Sequence, residues 1–113
     1  MEQVVRPRRK PRRGSTWDDA DIDTAAIARR LVLTRAATGL IKAEFARRAG
    51  IWPNSYGQME LNKKNLTIGQ AMKMCDAHGL TLDWLYRNKM DGLPEKLTAK
   101  IAALRGQNPK LHR

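Results

Sequence analysis

The sequence predicts an all-α fold: a compact bundle of about five helices containing a helix-turn-helix, a further C-terminal helix, and a disordered basic N-terminal arm. Three observations predict it. Apolar residues recur at helical spacing, as in Ile27 and Leu31 or Leu97, Ile101 and Leu104. Residues that start and stop helices punctuate the chain: Thr67 and Thr81 as caps, Pro53 and Pro94 at first turns, Gly39, Gly50 and Gly79 as stops. No alternation of period two persists in any stretch, so strands are not expected.

Composition narrows the class. At 113 residues the chain is one small domain with tails. Hydrophobic residues make up 42%, enough for a modest core but not for a deep enzymatic cleft. Lys and Arg number 22 against 11 Asp and Glu, giving a net charge of +11 and a pI near 10.6. Such an excess calls for an anionic partner, nucleic acid before a membrane surface. No apolar run approaches the roughly 20 residues of a spanning helix. No signal-peptide core follows the basic start. The Arg-rich start also precedes four Asp residues, which transit peptides avoid. A cytoplasmic protein at the nucleoid is expected. Cys75 is the single cysteine, so no intrachain disulfide forms.

Residues 1–16 carry Arg6, Arg8, Arg9, Lys10, Arg12 and Arg13 among Pro7, Pro11 and Gly14. Beyond Val4 and Val5 there is nothing apolar to bury, so a disordered arm is expected. It reads either as a solubilising tail or targeting signal, or as an arm that follows phosphates or enters a minor groove. The overall charge favours the arm. Residues 17–24 change sign, with Asp18, Asp19, Asp21 and Asp23 in WDDADID. Carboxylates suit the positive end of a helix dipole, and Asp23 or Thr24 is the expected N-cap. A second reading has the acids holding the basic arm when DNA is absent.

The domain proper is expected over residues 25–90, followed by a C-terminal helix and basic tail over 91–113. The first helix is predicted over Ala25–Thr38, with Arg29 and Arg30 on its exposed side. A link of a few residues through Leu40 makes the second helix its neighbour. The second, Lys42–Ala49, has Ile41 where a capping side chain belongs, and Lys42 opposes its dipole. A bound phosphate nearby would compensate for both. The third runs from Pro53 to Leu61, and Asn62–Asn65 is a polar loop. The fourth, Ile68–His78, is predicted to bury Ile68, Ala71, Met72 and Cys75. The fifth, Leu82–Asn88, offers Leu82, Trp84 and Leu85 for packing. The sixth runs from Pro94 to Leu104. Its stripe of Leu97, Ile101 and Leu104 either forms a dimer interface or packs back on the domain.

These segments surround Lys42–Leu61, KAEFARRAGIWPNSYGQMEL. Phe45, Ala49, Ile51, Tyr56 and Met59 are its apolar positions, and Ala46 is small enough for two helices to cross closely. A helix-turn-helix packs its second helix on its first and leaves one face free. That face would carry Asn54, Ser55 and Gln58, side chains able to read DNA.

From about Ala25 to Asn88 the chain resembles the helix-turn-helix domain of phage lambda-type repressors, Cro proteins and their bacterial relatives. The residues that carry the resemblance are FARRAGI with Ala46 and Gly50, Glu60 near the end of the third helix, and GLTLDWL at Gly79–Leu85. The resemblance implies a third helix in the major groove and a second above the backbone. It implies phosphate contacts from Lys42, Lys63 and Lys64. It also implies an ion pair between Arg35 and Glu60, where the alternative is two solvated charges. This chain departs from the family where it has Trp52 and Pro53, since polar residues usually stand there. Neither side chain makes a bidentate base contact, which leaves the direct reading to Asn54 and Gln58, whose amides suit adenine. Ser55 could meet a base or a phosphate. Trp52 either meets the DNA, at a thymine methyl, a sugar or a phosphate, or staples the turn.

Catalytic chemistry is not in view. His78 and Cys75 are three residues apart, but a zinc site needs at least three protein ligands. GQAMKM lacks the pattern of a phosphate loop. No enzyme, cofactor or metal is expected. The expected function is a sequence-specific double-stranded DNA-binding transcriptional regulator, a repressor of phage or bacterial type. Its expected partner is a palindromic operator, bound as a homodimer. A different class is an antitoxin or adaptor that binds another protein through Trp52, the sixth helix and the acidic stretch. A third is non-specific nucleoid or RNA binding through the arm.

Overall fold

Asp23 accepts a hydrogen bond from the Ala26 amide at 3.0 Å, which caps helix α1 (Thr24–Thr38). The computed structural model describes residues 23–107. Among them are six helices and no strand: α1, α2 (Lys42–Arg48), α3 (Pro53–Glu60), α4 (Ile68–His78), α5 (Leu82–Arg87) and α6 (Glu95–Gln107). The basic arm residues Arg6, Arg8, Arg9, Lys10, Arg12 and Arg13 lie outside the described residues, as do Asp18, Asp19 and Asp21.

Local chemistry sets the helix ends. Gly39 closes α1 in the left-handed region, at φ 77°. Thr67 and Gln70 form a reciprocal capping box at the start of α4. Thr81 accepts from the Trp84 amide at the start of α5. Helix α2 has no side-chain cap, because Ile41 occupies the N-cap position. That is the defect the sequence displays.

Helix α1 is the hub. It packs against α3, α5 and α6, while α2 packs on α3 and α4 on α5. Leu31, Leu33, Phe45, Ala46, Tyr56, Met59, Met74, Trp84, Leu85 and Ile101 are buried in one continuous core.

Three expectations are corrected, and a fourth, left open between two readings, is decided. Arg30 is buried, with 7% of its surface exposed, and donates from Nε and Nη2 to the Leu85 carbonyl at 3.1 and 3.0 Å. Its guanidinium also lies 6.0 Å from the centroid of the Trp84 ring, so a carbonyl and a π face replace water around the charge. On α4 the buried face is Ala71 and Met74, with Cys75 half-buried. Ile68 and Met72 are 56% and 53% exposed, because the neighbouring helices meet α4 on the side that Met74 presents. Leu82 keeps 38% of its surface exposed at the first turn of α5, while Trp84 and Leu85 are buried. Helix α6 lies along α1, with Ile101 fully buried and Leu97 and Leu104 packed on the core. The stripe of Leu97, Ile101 and Leu104 therefore covers the chain's own core and is not a free dimerisation face.

Candidate nucleic-acid interface

Helices α2 and α3 are held by a small aromatic stack. The Phe45 ring lies 5.2 Å from Tyr56, tilted by 44°, and is stacked on His78 at 3.9 Å. His78 Nε2 donates to the Phe45 carbonyl at 2.9 Å, which anchors α4 to the last turn of α2. Ala46 is fully buried where α2 meets α3, and a larger side chain there would separate them.

The turn between the helices is closed by its own backbone. The Gly50 amide donates to the Arg47 carbonyl and the Ile51 amide to the Ala46 carbonyl, both at 3.0 Å. This is the Schellman arrangement, and it requires the left-handed φ of 73° at Gly50. The same arrangement ends α3. Asn62 adopts φ 60°, its amide donates to Met59, and the Lys63 amide donates to Gln58 at 2.8 Å. The backbone therefore fixes where α3 starts and where the Lys63–Lys64 loop leaves it.

Orientation of α3 about its own axis is set by a buried polar network. Arg35 Nε donates to Glu60 Oε2 at 2.7 Å and Arg35 Nη2 to Oε1 at 3.2 Å. The Tyr56 hydroxyl donates to the same Oε2 at 2.5 Å. Arg35 Nη1 donates to the Leu40 carbonyl at 3.2 Å. The Glu60 side chain is 3% exposed and that of Arg35 20%. Hydrogen bonding to Glu60 holds the Arg35 guanidinium above its ordinary pKa. Burial, reinforced by the Glu60 carboxylate, pushes the Tyr56 phenol up as well, so it stays a donor.

With Tyr56, Met59 and Glu60 turned inward, the outward face of α3 shows Asn54 and Gln58 exposed and Ser55 half-buried. Trp52 stands at the N-cap with 80% of its surface exposed and makes no capping hydrogen bond. It borders a shallow hollow lined by Arg47, Gly50, Ile51 and Pro53. Lys42, Lys63 and Lys64 are exposed, and Lys64 Nζ donates to Ser55 Oγ at 3.2 Å. The lysine loop thus touches the face of α3 directly.

Arg47 and Arg48 were not singled out in the sequence. Both are exposed on α2 and both bond Glu44, at 3.1 and 2.9 Å. The hydrogen bond from Arg48 holds the Glu44 carboxyl below its usual range. Their only signal was charge, and the Glu44 spacing of three and four residues that pairs them. Among the described residues no three His, Cys, Asp or Glu side chains gather as metal ligands, and no helix is long and apolar enough to cross a membrane.

A family model described as helix-turn-helix matches residues 33–85. This span covers α2 to α4 whole, with the end of α1 and the start of α5. No curated protein and no solved structure matches the chain.

Proposed function

Because residues 33–85 carry a helix-turn-helix domain of the lambda-repressor-like family, the domain of DNA-binding transcriptional regulators, we propose that this protein is a sequence-specific repressor that reads the major groove with α3. The observation that carries the reading is the exposed row of Asn54 and Gln58 on α3, with Trp52 at its start and Lys63 and Lys64 at its end. The N-terminal residues of such a helix meet base edges while neighbouring cations meet phosphates.

In this reading Asn54 and Gln58 pair with adenine edges, Ser55 meets a base or phosphate, and Trp52 meets an apolar base edge. Lys42, Lys63, Lys64 and the arm residues Arg6, Arg8, Arg9, Lys10, Arg12 and Arg13 neutralise phosphates. They supply most of the affinity and its salt dependence. The uncapped start of α2 at Ile41 and Lys42 leaves backbone amides for a phosphate oxygen. Dimeric binding to a palindrome, with α3 helices about 34 Å apart, is part of the proposal.

The test is selection of bound sequences from a random DNA pool at a stated salt concentration. A palindromic consensus is the expected result. Equal recovery of all sequences would leave only non-specific binding.

The exposed apolar residues favour one second reading. Trp52, Ile41, Ile68 and Met72 are all more than half exposed, as a protein-binding antitoxin or adaptor would have them. Recovery of a tight protein partner that competes with DNA would place these residues in a protein interface.

A further inference from the structure

A glycine inside a helix needs a reason, because it costs stability relative to alanine. Gly39, Gly50 and Gly79 have one, since each takes a left-handed φ at a helix end. Gly92 has another, because a Cβ there would come within 3.1 Å of Thr81 Cγ2. Gly57 has neither. It sits in the middle of the eight-residue α3, on ordinary helical backbone. A Cβ built on it would meet no atom of the described residues within 4 Å. Gly69 and Gly106 share that freedom, but they lie in the first turn of α4 and the last turn of α6, where helices fray.

The reason lies outside the chain's own packing. Gly57 follows Asn54 by three residues and precedes Leu61 by four, so it shares their side of the helix. Pro53 is four residues before it on the same flank. Along this flank Pro53, Gly57 and Leu61 offer no hydrogen-bonding side chain, and Leu61 is 61% exposed. The opposite flank carries Ser55, which accepts from Lys64 at 3.2 Å. The row of Asn54 and Gln58 therefore has a hydroxyl and a cation on one side and a low, apolar edge on the other. An α-helix with its side chains is about 10–12 Å across and the major groove about 12 Å wide. In so close a fit one methyl group on the edge is felt, and a missing Cβ lets the backbone itself approach the ligand.

We propose that Gly57 is a positioning residue for DNA reading. The Pro53–Gly57–Leu61 edge lies against the deoxyribose wall of the major groove, at a depth that position 57 allows only without a Cβ. The C–H groups of the sugars suit an edge that has no polar side chain. This depth brings the Asn54 and Gln58 amides to the base edges, while Ser55 and Lys64 face the phosphates of the other wall. The inference rests on the reading of α3 as the major-groove helix.

The test compares the unaltered full chain with Gly57→Ala, Gly57→Leu and Gly106→Ala. Tm is measured, together with binding to a duplex selected from the random pool and to a scrambled duplex. Gly57→Ala should raise Tm by about 4 °C and yet weaken binding to the selected duplex about tenfold. Gly57→Leu should lose more. Binding to the scrambled duplex should change little, and Gly106→Ala should bind both duplexes as the unaltered chain does. Undiminished binding of Gly57→Ala to the selected duplex overturns the proposal, as does an equal loss on both duplexes. A lowered Tm for Gly57→Ala overturns it too, because the fold itself then needs the glycine. If the unaltered chain prefers no duplex, the major-groove reading fails with it. A preference that the Gly57 variants keep in full removes the role of Gly57 alone.

Discussion

Arg35 on α1 and Glu60 at the end of α3 are joined by two hydrogen bonds, at 2.7 and 3.2 Å, and Tyr56 donates to the same carboxylate. The pair ties α3 to the hub of the fold. Glu60→Ala leaves a half-buried guanidinium and a buried phenol without their acceptor. Loss of one partner of a buried pair costs about 3–5 kcal/mol. Arg35 keeps a fifth of its side chain in water, so the expected loss is near the lower end, about 3 kcal/mol. Tyr56→Phe removes one donor and should cost about 1 kcal/mol. Equilibrium urea unfolding measures both, and a Glu60→Ala loss no larger than that of Tyr56→Phe contradicts the network.

His78 gives the stability a pH dependence. Burial lowers its pKa and nearby Arg48 adds to that, against the raising effect of the Phe45 carbonyl. The unfolded chain takes up the proton near pH 6.5, about the ordinary value, and the folded chain only at lower pH. The unfolded state therefore binds more protons in that window, and stability falls as pH drops from about 6.5 toward the lowered value. His78→Gln, which can still donate to the Phe45 carbonyl, should lose this slope. Unfolding curves at successive pH values between 7 and 5.5 compare the two, and equal slopes would acquit His78.

Gln58→Ala should relax discrimination at one base pair by about 1–3 kcal/mol. Binding to a scrambled duplex should hardly change. An equal loss on preferred and scrambled duplexes shows that Gln58 does not read sequence.

Trp52 is 80% exposed, and in the proposed complex it meets the thymine methyl, the apolar group of the major-groove edge. Replacing thymine by uracil at one operator position should weaken binding several-fold for the unaltered protein and leave Trp52→Ala unaffected. If uracil is tolerated at every thymine, Trp52 has another role.

Deleting residues 1–13 removes six basic side chains, Arg6, Arg8, Arg9, Lys10, Arg12 and Arg13. Every phosphate that the arm neutralises adds about 0.9 to the steepness of log affinity against log salt, through release of its counterion. The truncated protein should therefore show a shallower slope, by the same amount on any sequence. An unchanged slope excludes the arm from DNA binding.

By itself the sequence determined the six helices and most of their ends, although α6 runs to Gln107 where Leu104 was expected. Asp23, Thr67, Thr81, Gly39, Gly50 and Gly79 act on backbone groups within a few residues of themselves, so their effect needs no tertiary information. The residues 42–61 were legible for the same reason, with Phe45, Ala46, Tyr56 and Met59 all buried. The tertiary structure decided which side of each helix faces inward. A period of apolar residues on α4 fits two faces equally, and the neighbouring helices selected Met74 over Met72. Arg30 reads as a solvated charge until α5 supplies the Leu85 carbonyl and the Trp84 ring. The Leu97–Ile101–Leu104 stripe is ambiguous until α1 is seen beside it. Burial is a property of distant neighbours, and sequence spacing reports only the residues that share a helix.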